Sequence, residues 1–420
     1  MDEPMITRYL AILTEELVPA AGCTEPIALA YGAAVLRDTL GQLPQRVDVE
    51  VSGNIIKNVK SVVVPNTGGM RGISVAIAAG IVAGDSRRKL QVLENVPPES
   101  VNRIRDYAEQ TPFQIRCADS SHVLDISLTG YADNHQACVR IVDEHTNVVF
   151  LSLDGTVLKN ETPEHTSKPV LDYSVLTLEG ILQFAATLEI SRISDLLDQQ
   201  IEMNSALAKE GLSGCWGSCI GKTLLKGSCD PITNAKAWSA AGIDARINGC
   251  ELPAVILSGS GNQGITASVP VIRYAEFLGA GKEKLYRALL VSNLVTIHQK
   301  EGIGRLSAYC GAISAGVGAG AGIAYLMDGS YEAVSQTVSN ALAILSGTIC
   351  DGAKSSCAAK IAASVEAGIF GFRLYKEHHS FQGGDGILAE NVEQSIRNVG
   401  ILASCGMRET DQTILRIMTQ

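Results

Sequence analysis

The sequence predicts an α+β protein: an α+β N-terminal lobe over residues 1–160, then a mainly α-helical, Gly/Ala-rich C-terminal lobe over residues 170–420 that carries the chemistry. Three observations predict it. Alternating, β-branched runs are confined to the stretch from Arg46 to Leu153. A polar segment with two prolines, Lys159 to Pro169, then serves as the linker candidate, and the chain beyond it reads as helical for most of its length. With 420 residues the chain also exceeds the roughly 250 to 300 that a single core serves.

The elements follow in order. Residues 1 to about 40 read as two helices broken at Gly22-Cys23-Thr24-Glu25-Pro26, with Thr24 as N-cap and Pro26 in the first turn. Arg46 to Val51 alternates like a strand, and Ile55 to Val64 is a second β-like run. The turn Pro65-Asn66-Thr67-Gly68-Gly69-Met70-Arg71-Gly72 leads into a helix of small apolar residues, Ile73 to Ala83. Further strands are expected at Lys89 to Leu93, Phe113 to Cys117, Val123 to Leu128, Ala137 to Val142 and Val148 to Leu153, the last two joined by a turn over Asp143 to Asn147. In the second lobe, Ser258 to Gly264 forms another glycine turn after Pro253 to Leu257, and a helix runs from about Ile265, interrupted at Pro270. Leu306 to Met327 holds 22 residues without a charge, but 11 of them are Gly or Ala, which suits close helix packing in a soluble core better than a membrane span.

Composition excludes several function classes. Asp and Glu total 44 against 34 Lys and Arg, a net charge of -10, and no basic cluster interrupts the chain, so nucleic acid and anionic membranes are poor partners. The N-terminal MDEPMITRYLAILTEEL starts acidic and reads as an amphipathic helix, not a secretory signal, which points to the cytoplasm. Eleven cysteines in a long chain argue for reduced thiols or metal ligands, not a disulfide framework.

The cysteines are also where the chemistry concentrates. Cys310, Cys350 and Cys357 stand in Gly/Ala-rich surroundings, with 39 and then 6 residues between them, without the CxxC pairs of a zinc ribbon or a ferredoxin run. Three widely spaced thiolates suit an iron-sulfur cube that leaves one iron open; the other reading is a set of small buried thiols. On one straight helix Cys350 and Cys357 would lie about 10 Å apart along the axis, so a bend is expected at Asp351-Gly352-Ala353, with Cys357 opening a new helix. Cys23 stands at a helix start, where unpaired N–H groups favour a thiolate able to act as base, nucleophile or ligand; it could equally be a small buried residue.

The Asn66 to Gly72 turn, between an expected strand and a helix, is a candidate cradle for a carboxylate through Asn66, Thr67 and Gly68, with Arg71 assisting. The second glycine turn offers Asn262 and Gln263, and Thr24 sits beside Cys23. Lys300 and Arg305 precede Cys310 and read as solvated charge or ion pairs. Cys215, Cys219 and Cys229 fit no ligand spacing, and the histidines show no HxH or HExxH arrangement.

Taken together, Gly22-Cys23-Thr24-Glu25-Pro26, Asn66-Thr67-Gly68-Gly69, Gly259-Ser260-Gly261-Asn262-Gln263-Gly264, Gly302 to Gly311 and Cys350-Asp351-Gly352-Ala353-Lys354 resemble the L-cysteine desulfidase family, a relative of the catalytic alpha domain of iron-sulfur L-serine dehydratases. The resemblance spans essentially the whole chain. It implies a four-iron, four-sulfur cluster held by Cys310, Cys350 and Cys357. It further implies that Cys23 is the proton acceptor and rests on the open iron until substrate displaces it. The reaction implied is α,β-elimination of L-cysteine: its sulfur binds the open iron and leaves, Cys23 takes the Cα proton, and aminoacrylate decays to pyruvate and ammonia. The partner is a small amino acid, and a homo-oligomer is compatible.

Rival readings are an L-serine dehydratase on the same cluster, a pyridoxal-phosphate lyase using Ser258 to Gly264 as phosphate cradle, and a non-catalytic iron-sulfur metabolite sensor.

Overall fold

The computed structural model describes residues 1–120, 122–161, 171–228, 230–304 and 307–419. The chain is mixed α+β with a helical C-terminal region, as the sequence predicts. Strand β1 (Val18–Ala21) lies between the helices Glu3–Glu16 and Thr24–Leu40. Strands β2 (Arg46–Val51), β3 (Phe113–Cys117), β4 (Asp125–Ala132), β5 (His135–Val142), β6 (Val148–Leu153) and β7 (Thr156–Asn160) form one sheet in the order β3-β2-β4-β5-β6-β7. Only the β2–β3 pair is parallel.

Period-two alternation decides which face of this sheet is covered. Val47, Val49 and Val51 of β2 and Ile126 and Leu128 of β4 are buried, and helix Thr24–Leu40 packs on β4 and β5. On the other face Arg46 stacks over the Tyr131 ring and Arg140 pairs with Asp125. Helix Ile73–Ala83 lies against Thr24–Leu40 so closely that a Cβ at Gly80 would overlap the Ala30 carbonyl. These parts share one apolar core, drawn from residues between Ile27 and Leu153.

A second, larger core is built from the helices after Leu176. At its centre lies Gly311–Met327, packed by Gly261–Phe277, Lys282–Ile303, Tyr331–Leu345 and Cys357–Lys376. Its small residues allow this: a Cβ at Gly320 would press on the backbone of Gly368. Tyr9, Leu13, Leu17 and Cys23 also belong to this core, because β1 pairs antiparallel with β8 (Pro253–Ile256), Val18 opposite Ile256 and Ala21 opposite Pro253. The residue after β1, Gly22, is thereby delivered to the helical region.

Several expectations are corrected. Ile55 to Val64 is not a strand: Gly53–Val59 is a helix, followed by a single bridge between Val63 and Arg71. Ile55 and Val59, four apart, are both fully buried on one helix face, so tertiary burial overrides their β-branched preference. Lys89 to Leu93 is not a strand: it overlaps the end of a 3₁₀ turn, Ser86–Gln91, whose start is held by Asp85 accepting from the Arg87 N–H. Cys23, not Thr24, is the N-cap of Thr24–Leu40. The second glycine turn opens its helix at Gly261, earlier than expected, and the helix runs through a buried Pro270. No helix among the described residues is long and apolar enough to cross a membrane. The linker candidate falls mostly on 162–170, outside the described residues.

The Gly80 contact gives a stability test. Gly80→Ala is expected to destabilise by about 2 kcal/mol through overpacking. Gly281→Ala, at a position with nothing within 4 Å and φ -66°, loses only an N-cap preference and is expected to cost less, about 1 kcal/mol or below. Urea denaturation of the two variants measures both.

Candidate active site

A cavity of about 380 Å³ lies where the loops of the six-stranded sheet meet the helical region. Cys23, Cys310, Cys350 and Cys357 all line it, although they are scattered over more than 300 positions of sequence.

Cys310 and Cys350 are brought together by backbone pairing. Tyr309 and Ile349 form an isolated antiparallel bridge, the Cys310 N–H donates to the Thr348 carbonyl at 3.0 Å, and the Cys350 N–H donates to Ala308 at 2.6 Å. Cys310 is then the N-cap of Gly311–Met327. The bend expected at Asp351-Gly352-Ala353 is present: Gly352 has φ +90°, and a side chain there would overlap the Lys57 carbonyl. Cys357 opens its own helix as expected, its thiol 3.6 Å from the Gly352 carbonyl. Asp351 is held by Lys354 and, at 2.8 Å, by Lys360.

Cys23 is almost fully buried. The preceding Gly22 adopts φ +71° directly against Pro65, whose ring any side chain at 22 would overlap. Arg246, on helix Pro231–Ile247, donates from Nη2 to the Gly22 carbonyl at 2.7 Å and from Nη1 to Asn262 Oδ1 at 2.9 Å. The Thr24 hydroxyl lies 3.0 Å from both the Gly259 carbonyl and Glu25 Oε2, and Asn58 donates to Glu25 Oε1 at 3.1 Å. The two glycine-containing turns at 22 and 259–261 are thus tied to each other.

The electrostatics differ from one thiol to the next. A hydrogen bond from Cys310 draws the Cys350 thiol down to about 6, with Lys57 assisting, and the same bond pushes Cys310 well above the ordinary thiol range. Burial raises Cys357. Burial also pushes Cys23 up to about 11, against the pull of Arg246. The helix start favours a thiolate at Cys23, but desolvation outweighs it and holds the thiol protonated.

Of the expected substrate residues, Thr24, Asn262 and Gln263 line the cavity. Asn66, Thr67, Gly68 and Arg71 are not among its lining residues. Their side chains are engaged with backbone carbonyls instead: Asn66 donates to the Leu93 carbonyl at 2.6 Å, Thr67 to Val64 at 2.7 Å and Arg71 to Ser61 at 3.3 Å. Gly68 sits at φ +70° beside Val101. The turn touches the site indirectly, through the Pro65 ring beneath Gly22.

Sequence reasoning missed Asn54, Lys57 and Asn58, which line the cavity from helix Gly53–Val59. Read at helical spacing, their i, i+3, i+4 pattern is a polar face; read as a strand, it disappears. Lys57 is 2% exposed and pairs with Asp411 at 2.6 Å. Arg246 and the β5–β6 turn residues Asp143, Glu144 and His145 were missed too. Arg246 left one signal, a lone arginine in an Ala-rich apolar helix. Lys300 also lines the cavity, whereas Arg305 and Cys229 lie outside the described residues. Among the described residues no group of three His, Cys, Asp or Glu is gathered for a single metal ion.

Comparison with known proteins adds a lineage to this geometry. The chain is 51% identical to a UPF0597 protein of Desulfitobacterium hafniense, covering 98% of this chain and 96% of the relative. It is 45% identical to a UPF0597 protein of Lachnoclostridium phytofermentans, with 99% and 100% coverage, and 41% identical to one of Treponema denticola, with 100% and 99%. Residues 87–416 match the family model of the serine dehydratase alpha chain, a stretch that holds Cys310, Cys350 and Cys357 but begins after Cys23. By that match the chain belongs to the serine dehydratase alpha-chain family.

Proposed function

We propose that the chain is an iron-sulfur lyase, an L-cysteine desulfidase that eliminates hydrogen sulfide from L-cysteine and yields pyruvate and ammonia. The observation that carries this reading is the meeting of four thiols in one buried cavity. The donor set fits a four-iron, four-sulfur cluster: Cys310, Cys350 and Cys357 occupy one wall, and the thiolates of a cube each hold a different iron, so they need not converge on one point. Buried Lys57 and Arg246, which line the same cavity, supply positive charge against thiolates. When bound, such a cluster supplies a Lewis-acidic iron with an open position, which makes a thiolate a better leaving group.

The chain's own residues do the rest. Cys23 accepts the Cα proton, and its sulfur needs a compensating charge in the filled site to overcome the burial that holds it protonated. Arg246, fixed to the carbonyl before Cys23, aims that thiol. The apolar walls at Ala312 and Ile361 limit water around the reacting atoms. Thr24, Asn262 and Gln263 form the substrate-facing wall. The same reading divides the chain into lobes over 1–160 and 170–420, with the cavity between them, and places it in a reducing, cytoplasmic setting that keeps its thiols free.

A second reading, L-serine dehydratase, is favoured by the family match itself. Anaerobic reconstitution with iron and sulfide, followed by parallel assays on both amino acids, separates them. Sulfide and pyruvate from L-cysteine in excess of pyruvate from L-serine support the desulfidase; the reverse order makes it a dehydratase, and no pyruvate from either leaves a non-catalytic protein.

The ligand set predicts that Cys310→Ala, Cys350→Ala and Cys357→Ala each lose most bound iron and sulfide release, since a cube deprived of one thiolate is labile. Full iron content in any of them removes that residue from the set. Cys23→Ser is expected to keep its iron and bind L-cysteine, while kcat falls about 10²- to 10⁴-fold for want of an effective base. Near-normal sulfide release by Cys23→Ser assigns proton transfer to another group.

A further inference from the structure

Two buried polar groups in the cavity wall are left unmatched by the fold. Arg246 is 3% exposed and lines the cavity. A guanidinium has five N–H donors. Its hydrogen bonds go to two neutral oxygens, the Gly22 carbonyl and Asn262 Oδ1, while Nε has no partner. Among the described residues no carboxylate forms an ion pair with it, and a buried cation without a counter-charge is unfavourable. Lys57, which lines the same cavity, differs in having Asp411 as an ion-pair partner.

Gln263 is also 3% exposed, lines the cavity, and has an Oε1 that accepts no hydrogen bond. Its place is fixed from two sides. It follows Asn262, to which Arg246 is bonded, and its amide packs on Gly311, where a Cβ would come within 2.8 Å of Gln263 Nε2. An unmatched cation and an unmatched acceptor therefore line one cavity, the first bonded to the residue before Cys23 and the second packed on the residue after Cys310.

An α-amino acid presents one carboxylate and one ammonium on the same carbon. We infer that Arg246 and Gln263 together read this zwitterionic end, the carboxylate on the Arg246 guanidinium and the ammonium on Gln263 Oε1. The inference rests on the amino-acid reading of the site and assigns the two substrate ends which that reading leaves open. It accounts for Gly261 as well: a side chain there would overlap the guanidinium, so glycine admits the cation into the wall. Bound this way, the substrate shares the cavity with Cys23 and with Cys310, Cys350 and Cys357.

The test uses two halves of L-cysteine, neither of which can yield aminoacrylate. Mercaptopropionate keeps the carboxylate and lacks the ammonium; cysteamine keeps the ammonium and lacks the carboxylate. Their dissociation constants are measured by anaerobic calorimetry on the reconstituted protein and on Arg246→Gln and Gln263→Met. Arg246→Gln is expected to weaken mercaptopropionate about 10- to 100-fold and leave cysteamine unchanged. Gln263→Met is expected to weaken cysteamine about 3- to 10-fold and leave mercaptopropionate unchanged.

Equal weakening of both ligands by either variant reduces these residues to a structural role and overturns the inference, as does no change in either. Should Arg246→Gln fail to fold, Arg246→Lys, which keeps the charge, is expected to retain mercaptopropionate binding within about 10-fold, and Gln263→Met carries the crossover alone. A wild-type protein that releases sulfide from L-cysteine without this crossover overturns the inference and leaves the lyase reading standing. A wild-type protein that neither binds nor converts L-cysteine overturns both.

Discussion

The Arg246 guanidinium is the constraint on which the site depends. It is buried, and its two hydrogen bonds join points 240 positions apart, the carbonyl of Gly22 and the side chain of Asn262. A hydrogen bond from a charged donor contributes about 1.5 to 3 kcal/mol, and losing this donor would leave two acceptors without their partner. Three further features converge on it. The β1–β8 pairing brings Gly22 within reach, Gly261 leaves room for the guanidinium, and Thr24 repeats the link through the Gly259 carbonyl. The start of helix Thr24–Leu40 is thus locked to the start of helix Gly261–Phe277, and Cys23 cannot move without disturbing both.

The cysteine wall is assembled on the same principle, by short pairings between helix starts. Cys310 precedes one helix and Cys357 begins another, while Cys350 lies in the extended segment that pairs beside Cys310. Asp351, gripped by Lys354 and Lys360, and Gly352, fitted against the Lys57 carbonyl, hold the loop between Cys350 and Cys357 in its bend. Ser355 reaches Asn248 at 3.4 Å, so the C-terminal end of the helix that carries Arg246 also touches the cysteine loop. One helix end therefore braces the Cys23 side and the cysteine wall. The C-terminal segment supports the site as well: Asp411 holds Lys57, and the Ala403 carbonyl accepts from Ser307, three residues before Cys310.

Much of this was legible in the chain because local chemistry and the fold agree there. Ile73–Ala83, Phe113–Cys117 and Val148–Leu153 form as their patterns require, and the break at Gly352 follows from the spacing of Cys350 and Cys357. The remainder was hidden for identifiable reasons. The run from Ile55 is β-branched, and only burial of Ile55 and Val59 on one face makes it a helix, so Asn54, Lys57 and Asn58 could not be seen as a polar face. Strand β1 is four residues long, contains a proline, and exists because β8, more than 230 positions away, supplies its partner. The Asn66 to Gly72 turn has the composition of an anion cradle, but its side chains are engaged with backbone carbonyls and its contribution to the site passes through Pro65. The rise of the Cys23 thiol to about 11 is a burial effect, invisible in a motif that shows only a helix start.

The account stands on one claim, that the cavity holds a cluster with an iron left open for the substrate's sulfur. Mössbauer spectroscopy of protein reconstituted anaerobically with ⁵⁷Fe tests it most directly. A single iron site distinct from the rest, whose isomer shift moves on addition of L-cysteine while the others stay fixed, is the predicted result. Iron sites that all remain unchanged with L-cysteine, or a spectrum without any cube, would contradict the account.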